Sequence, residues 1–186
     1  SLIVGSSAAS DVYKRQGYTS AQGDLETRQA IADYLNNTYE TNFKADNLYM
    51  TMGAAASLSI AFKALTSSPD DEIIAIAPFF PEYRVFVTAA GAKFNVVAPD
   101  TKNFQINFDE FEKLVNKNTK AVIINSPNNP SGAVYSEQTI KKLADFLSKK
   151  SEEYGTHIFI ITDEPYREIV YDGVAVSYTN LTLPTI

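Results

Sequence analysis

The chain has 186 residues, with 16 Lys and Arg against 22 Asp and Glu, and its formal net charge is −6 at pH 7. The sequence has no cysteine and a single histidine, His157, which excludes disulfides, a cysteine nucleophile and a histidine-rich zinc motif. The acidic balance argues against a nucleic-acid-binding surface, and no apolar run approaches the roughly 20 residues of a membrane span. We therefore expect a globular protein of a reducing, cytoplasmic compartment, without nucleic-acid or membrane partners.

Both ends of the chain depart from the periodic patterns of the interior. Residues 1–16 start with Ser1 and three apolar residues, too few for a secretion signal, and residues 177–186 are rich in threonine and stop just after a proline. Both segments resemble translated adapter or vector sequence, so we leave them out of the fold prediction. The interior then divides into an N-terminal helical segment, residues 17–47, and an α/β domain, residues 48–176.

The interior alternates between short apolar runs, which predict buried strands, and stretches with helical periodicity. In chain order the sequence predicts a helix over Asp24–Leu35, a strand over Leu48–Met52, a helix over Ala54–Leu65, a strand over Glu72–Ala77, a helix over Glu82–Ala90, a strand over Phe94–Ala98, a helix capped by Asn107, a strand over Ala121–Asn125, a helix capped by Ser136 and a strand over His157–Thr162. This alternation indicates right-handed βαβ crossovers and an α/β fold with a mostly parallel sheet. Ligands of such sheets bind beyond the carboxyl ends of the strands.

The predicted strand at Leu48–Met52 is followed by Gly53, Ala54 and Ala55, which open a helix. Small residues at a helix N-terminus let an anion approach backbone N–H groups that have no intrahelical acceptor, and the helix dipole favours negative charge there. The segment is therefore a candidate phosphate site, although glycine and alanine also allow close packing of a helix on a sheet. The sequence contains neither of the common glycine-rich nucleotide motifs.

Three further strand ends carry residues that suit a ligand. Phe79 and Phe80 lie between two prolines and can present a flat aromatic face, and Asn129 lies in a rigid turn where its amide can meet a ligand oxygen. Asp163 ends a buried strand, where a carboxylate needs a partner charge such as a protonated ring nitrogen, and Tyr166 adds a phenol. Core packing, turn formation and backbone capping explain each residue singly, but together they fit a phosphorylated aromatic heterocycle.

At these residues the sequence resembles the class I/II aminotransferases, which are pyridoxal-phosphate enzymes of fold type I. The resemblance runs from about Gly17 to Gly173, and its most specific parts are Asn129-Pro130-Ser131-Gly132 and Asp163-Glu164-Pro165-Tyr166. It implies a three-layer α/β/α large domain that binds pyridoxal 5'-phosphate and transfers an amino group between an amino acid and a 2-oxo acid.

The resemblance also implies a role for each candidate residue. Asp163 would hold the proton of the pyridine nitrogen, Asn129 and Tyr166 would bind the phenolic oxygen of the ring, and Phe80 would stack on the ring. Gly53 and the amides of Ala54 and Ala55 would bind the phosphate. Tyr18 would reach the phosphate of a neighbouring subunit, which implies a homodimer.

The sequence departs from the family pattern downstream of Asp163. The family uses a Schiff-base lysine there, whereas this sequence has no lysine after Lys150, and the C-terminal small domain is also missing. We therefore expect an incomplete large domain with no catalytic residue of its own, which is inactive when alone. The alternatives are a carbon–sulfur lyase or decarboxylase on the same fold, or a noncatalytic module that binds a phosphorylated ligand.

Overall fold

The computed structural model describes residues 19–171, which form two compact units that divide between Thr51 and Met52. The first unit contains helix α1 (Leu25–Tyr39) and a short 3-10 helix (Ala45–Asn47). The predicted N-terminal helix is confirmed and extends four residues further than expected. It begins at Asp24, whose carboxylate accepts a hydrogen bond of 2.8 Å from the amide of Thr27.

The predicted strand over Leu48–Met52 is wrong. These residues run in an irregular path after the 3-10 helix, and the amide of Met50 donates to the carbonyl of Gln22 at 2.8 Å. Side chains of this run are open to solvent, with Tyr49 66% and Met52 96% exposed. A strand needs a neighbouring strand for its ladder, and the sequence pattern could not show that none pairs here among the described residues.

The second unit is an α/β fold with a fully parallel sheet. Its elements are α2 (Ala54–Leu65), β1 (Glu72–Ile76), α3 (Glu82–Ala90), β2 (Lys93–Val97), α4 (Phe108–Leu114), β3 (Thr119–Asn125), α5 (Glu137–Tyr154) and β4 (Phe159–Asp163). In the described part of the chain the four strands lie in the order β2-β1-β3-β4. The predicted α/β class, the parallel sheet and every other predicted strand and helix of this unit are confirmed, with boundaries that differ by a residue or two. The expected burial of the last strand is wrong: no residue of β4 is buried, because in the described part of the chain β4 has a neighbouring strand on one side only.

Polar caps fix where the helices of the second unit begin. The side chain of Asn107 accepts from the amide of Glu110 at the start of α4, and that of Ser136 accepts from the amide of Thr139 at the start of α5. A capping side chain satisfies a backbone donor that has no intrahelical partner, so it defines the first turn. Within residues 19–171, no helix is long and apolar enough to cross a membrane.

Helices lie on both faces of the sheet, which gives the three layers expected from the sequence. Alternate residues of β1 and β3 point to opposite faces. One face packs with α4 and α5, through a cluster that includes Ile74, Val122, Phe111, Leu143 and Leu147. The other face packs with α2 and α3, through a cluster that includes Ile73, Ile123, Phe62, Tyr83 and Val87.

Candidate functional site

The strand order places a crevice at the carboxyl ends of β1 and β3. These strands are neighbours, but the chain leaves β1 through α3 on one face of the sheet and leaves β3 through α5 on the other. Connections that depart to opposite faces open a gap between them, and open parallel sheets bind their ligands in that gap. The residues that follow β1, β3 and β4 therefore line the candidate site.

The carboxylate of Asp163 is held at this edge by a buried phenol. Asp163 is the last residue of β4, and its Oδ2 accepts a hydrogen bond of 2.5 Å from the hydroxyl of Tyr83 in the first turn of α3. Tyr83 is only 1% exposed. Burial and then the bond to Asp163 raise the pKa of Tyr83 well above its usual value, so the phenol keeps its proton and remains a donor.

The turn after β3 brings Asn129 towards the end of β4. Asn125, the last residue of β3, accepts from the amide of Asn129 at 2.6 Å and donates through Nδ2 to the main-chain carbonyl of Asp163 at 2.7 Å. The side-chain nitrogen of Asn129 lies 3.5 Å from the hydroxyl of Tyr166, which is 38% exposed. An amide donor and a phenol donor therefore lie side by side near the carboxylate.

A second buried asparagine ties the same turn to the segment after β1. Asn128 donates to the carbonyl of Pro78 at 3.1 Å and accepts from both the amide and the hydroxyl of Ser131. In that segment the ring of Phe80 packs edge-to-face on Tyr83, with ring centroids 5.7 Å apart. Phe80 is therefore linked through Tyr83 to Asp163.

The direction of α2 places its N-terminus at the same edge of the sheet. Lys63, near the end of α2, donates to the carbonyl of Ala90 at the end of α3, so the C-terminal ends of the two helices lie together. Because α3 begins just beyond the carboxyl end of β1 and the two helices pack along each other, the first turn of α2 is directed towards that edge. Gly53 has a φ of +85°, and a Cβ added there would meet nothing within 4 Å, so the space beside the first turn is open.

Four of the predicted site residues come together in the structure, namely Phe80, Asn129, Asp163 and Tyr166. Gly53, Ala54 and Ala55 reach the same edge through the direction of α2. Tyr18 lies outside the described residues, and its role stays a prediction.

Sequence reasoning missed the two residues that brace this arrangement, Tyr83 and Asn125. Tyr83 lies in the first turn of the predicted helix over Glu82–Ala90, and a phenol that is buried there needs a hydrogen-bond partner. Asn125 is a polar residue at the end of an apolar strand, which signals a buried amide that needs partners, and in the structure it is 3% exposed with its hydrogen bonds satisfied. Both signals were present in the sequence, but neither stated which partner each side chain would meet.

The fold and these strand-end residues define a three-layer α/β protein with a candidate ligand site at the switch point of its sheet. The family model for class I and II aminotransferases matches residues 6–183, and the chain belongs to this family, whose members depend on pyridoxal phosphate. The structural neighbours are aminotransferases of pyridoxal-phosphate fold type I, as the sequence predicted.

Relatives and solved structures agree with the family. An aspartate aminotransferase of Thermotoga maritima is 37% identical over 155 residues, which cover 83% of this chain and 39% of that protein. A crystal structure of an aminotransferase from Eubacterium rectale has a TM-score of 0.87 and 68% identity, covering 89% of this chain and 42% of its own. An aspartate aminotransferase structure from Thermus thermophilus has a TM-score of 0.79 and 25% identity, and the match covers 94% of this chain and 44% of that chain. The chain thus spans about two-fifths of the length of the proteins it matches.

Proposed function

We propose that this chain is the part of an aminotransferase that binds pyridoxal 5'-phosphate, within a protein that transfers an amino group between an amino acid and a 2-oxo acid. The observation that carries the proposal is the Asp163 carboxylate, fixed by Tyr83 at the carboxyl end of β4, with the Asn129 amide and the Tyr166 phenol beside it. In this reading the cofactor-binding domain spans residues 48–176.

The donors and acceptors present fit the proposed cofactor group by group. Asp163 offers a carboxylate to a protonated pyridine nitrogen, and Asn129 and Tyr166 offer donors to a phenolate oxygen. Phe80 offers an aromatic face to a flat ring. The first amides of α2, at Ala54 and Ala55 beside the open space at Gly53, offer donors and a helix dipole to a phosphate.

When bound, the cofactor supplies an electron sink for the carbanion that forms as an amino acid loses its α-proton. The residues of this chain hold and orient it. Asp163 keeps a proton on the ring nitrogen through an ion pair, and Tyr83 fixes one carboxylate oxygen so that the other carboxylate oxygen can face the ring. Asn129 and Tyr166 stabilise negative charge on the ring oxygen, and Phe80 excludes water from one face.

Several finer expectations form part of the proposal. The protein forms a homodimer in which Tyr18 reaches the phosphate of the neighbouring subunit, and it resides in the cytoplasm. The covalent anchor of the cofactor is a lysine, which the family resemblance implies beyond Asp163 and which this sequence does not contain. This chain alone therefore binds the cofactor noncovalently and does not turn over.

Calorimetric titration of the chain with pyridoxal 5'-phosphate tests the binding step. We expect saturable binding that weakens at least tenfold in Asp163→Asn, and a weaker response of the wild type to an analogue with carbon in place of the ring nitrogen. Asp163→Asn should no longer distinguish the two ligands. Asp145→Asn, which changes an exposed carboxylate on α5, is the matched control and should bind as the wild type does. Equal affinity of Asp163→Asn and the wild type would refute the assignment.

Turnover is tested with the product of the complete reading frame that contains this sequence. Transfer of an amino group to 2-oxoglutarate supports an aminotransferase. Release of pyruvate and ammonia from a cysteine-type substrate without any acceptor would instead identify a carbon–sulfur lyase on the same fold.

A further inference from the structure

Asn125 uses both ends of its side-chain amide in a buried position between two strand ends. Its Nδ2 donates to the main-chain carbonyl of Asp163 at 2.7 Å, and its Oδ1 accepts from the main-chain amide of Asn129 at 2.6 Å. The residue is only 3% exposed, so water cannot readily replace either hydrogen bond. One planar group therefore connects the end of β4 to the turn that follows β3.

This connection lies where the backbone ladder of the sheet stops. Asn125 and Asp163 are the last pair in the register of β3 and β4. Beyond this pair both strands end, and an irregular segment follows each of them. Backbone hydrogen bonds between strands set the spacing up to that point only. The position of Asn129 relative to Asp163 is then set by the side chain of Asn125, which holds both.

The chemistry of the bridge requires an asparagine. The bridge needs one donor and one acceptor on a short planar group, which asparagine supplies. An ionised aspartate has the same shape but supplies acceptors only, and its negative charge would face the carbonyl oxygen of Asp163. Alanine supplies neither group and leaves a buried amide and a buried carbonyl without these partners, a costly arrangement inside a protein.

We propose that Asn125 is a positioning residue that sets the spacing between the Asp163 carboxylate and the Asn129 amide, and so matches them to the nitrogen and the phenolic oxygen of one pyridine ring. This inference rests on the proposed function, because that function makes both groups ligands of the same molecule. Asn125 acts through these two residues and does not itself touch the cofactor.

The test compares Asn125→Ala and Asn125→Asp with Asn116→Ala. Asn116 is a matched control at the opposite edge of the same sheet. Its side-chain Nδ2 donates to the carboxylate of Glu72 at 2.8 Å, and its side-chain Oδ1 accepts from the main-chain amide of Asn118. Calorimetry measures the affinity for pyridoxal 5'-phosphate, and circular dichroism with thermal unfolding confirms that each variant is folded. Amide hydrogen exchange at Asn129, followed by NMR without ligand, measures whether the turn is held.

We expect Asn125→Ala to bind pyridoxal 5'-phosphate about tenfold or more weakly than the wild type. In metal sites, mutation of a residue that orients a ligand group typically weakens binding by about 10 to 100-fold. The amide of Asn129 should exchange faster in this variant. Asn116→Ala should lower the melting temperature but leave the affinity within about twofold of the wild type, because its hydrogen bonds lie away from the site.

Asn125→Asp provides a readout that loss of stability would not mimic. At about pH 8 the new carboxylate cannot donate to the Asp163 carbonyl, whereas a protonated carboxyl can donate and accept as asparagine does. Burial raises the pKa of such a carboxyl, so the affinity of the variant relative to the wild type should recover as the pH falls towards about 5.5. The other titratable groups of this network are Asp163, Tyr83 and Tyr166, which both proteins contain, so each affinity is divided by that of the wild type at the same pH.

The outcomes separate this inference from the proposed function. Absence of cofactor binding by the wild-type chain would overturn the proposed function, and exchange at Asn129 would still decide whether Asn125 holds the turn. Wild-type binding together with unchanged affinity in Asn125→Ala would overturn the positioning role alone. An affinity of Asn125→Asp that does not recover at low pH relative to the wild type would overturn it as well.

Discussion

The hydrogen bond between Tyr83 and Asp163 predicts a measurable effect of removing a single oxygen atom. Tyr83→Phe deletes the hydroxyl that donates to the Asp163 carboxylate at 2.5 Å and keeps the ring that packs on Phe80. A hydrogen bond to a charged group contributes about 1.5 to 3 kcal/mol. Asp163 is only partly buried, so water compensates in part, and we expect the free energy of unfolding to fall by about 1.5 kcal/mol.

The same substitution should weaken cofactor binding by a separate route. Without the phenol, the carboxylate is free to rotate and must be ordered when the ligand binds. Ordering one side chain costs about 0.5 to 1.5 kcal/mol, and 1 kcal/mol corresponds to about a fivefold loss of affinity. Calorimetric titration with pyridoxal 5'-phosphate measures this loss. The control is Tyr154→Phe, which removes a hydroxyl that donates to the Val115 carbonyl at 3.4 Å on the other face of the sheet.

Alkaline unfolding provides an independent check on the state of the phenol. The pKa of Tyr83 is raised in the folded protein, first by burial and then by the bond to Asp163, above the 10.0 of a free phenol. The stability that this group contributes is therefore complete below pH 10 and declines as the pH rises further, by about 1.4 kcal/mol at pH 11. Urea unfolding should show the wild type losing its advantage over Tyr83→Phe between pH 10 and about pH 11. An unchanged affinity combined with a constant stability difference across this range would refute the reasoning.

Three further substitutions test the packing and hydrogen bonding of the two units, each considered by itself. Asp71 is 5% exposed, and although burial alone raises its pKa, hydrogen bonds from two amides and a serine hydroxyl leave that pKa below the ordinary 3.8. In urea unfolding at pH 7, Asp71→Asn should lower the free energy of unfolding by about 1 to 2 kcal/mol. The difference from the wild type should close as the pH falls below 3.8, because the carboxylate of the wild type then becomes protonated. The control is Asp70→Asn, which changes an exposed carboxylate and should cost no more than about 0.5 kcal/mol. Gly23→Ala places a Cβ 2.5 Å from the side chain of Met50 at a φ of +96°, and hydrogen exchange should show the first unit destabilised by about 2 kcal/mol. Phe62→Ala empties a position that is 0% exposed under the sheet, and chemical unfolding should show a loss of about 3 to 5 kcal/mol; a loss below 1 kcal/mol would contradict the assigned core.

Apolar periodicity was a sufficient guide to most of the second unit. The helix over Glu82–Ala90 has the predicted boundaries, and Asn107 and Ser136 cap helices as expected. These features depend on interactions between residues close in the chain, so a short window of sequence contains the necessary information. The strand predicted over Leu48–Met52 failed because strand formation depends on a distant partner that a local pattern does not reveal.

The chemistry of the candidate site was also predictable in part. Asp163, Asn129, Tyr166 and Phe80 were singled out because parallel strands must deliver their ends to one edge, whatever the strand order. That rule predicts the edge of the sheet at which these residues lie, but it does not predict which side chains contact one another there. The bond from Tyr83 to Asp163 joins residues 80 positions apart, and no local signal in the sequence selects that pairing.

The sequence by itself determined the α/β class, the parallel sheet, its helices and the edge that carries the candidate site. Helical and strand periodicity and residue types suited to caps and turns are properties of short segments, so a local pattern contains them. Only the tertiary structure decided the strand order β2-β1-β3-β4 and the network in which Tyr83 and Asn125 hold Asp163 and Asn129. The physical reason is that these choices rest on packing and hydrogen bonds between segments far apart in the chain, whose energies depend on the complete fold.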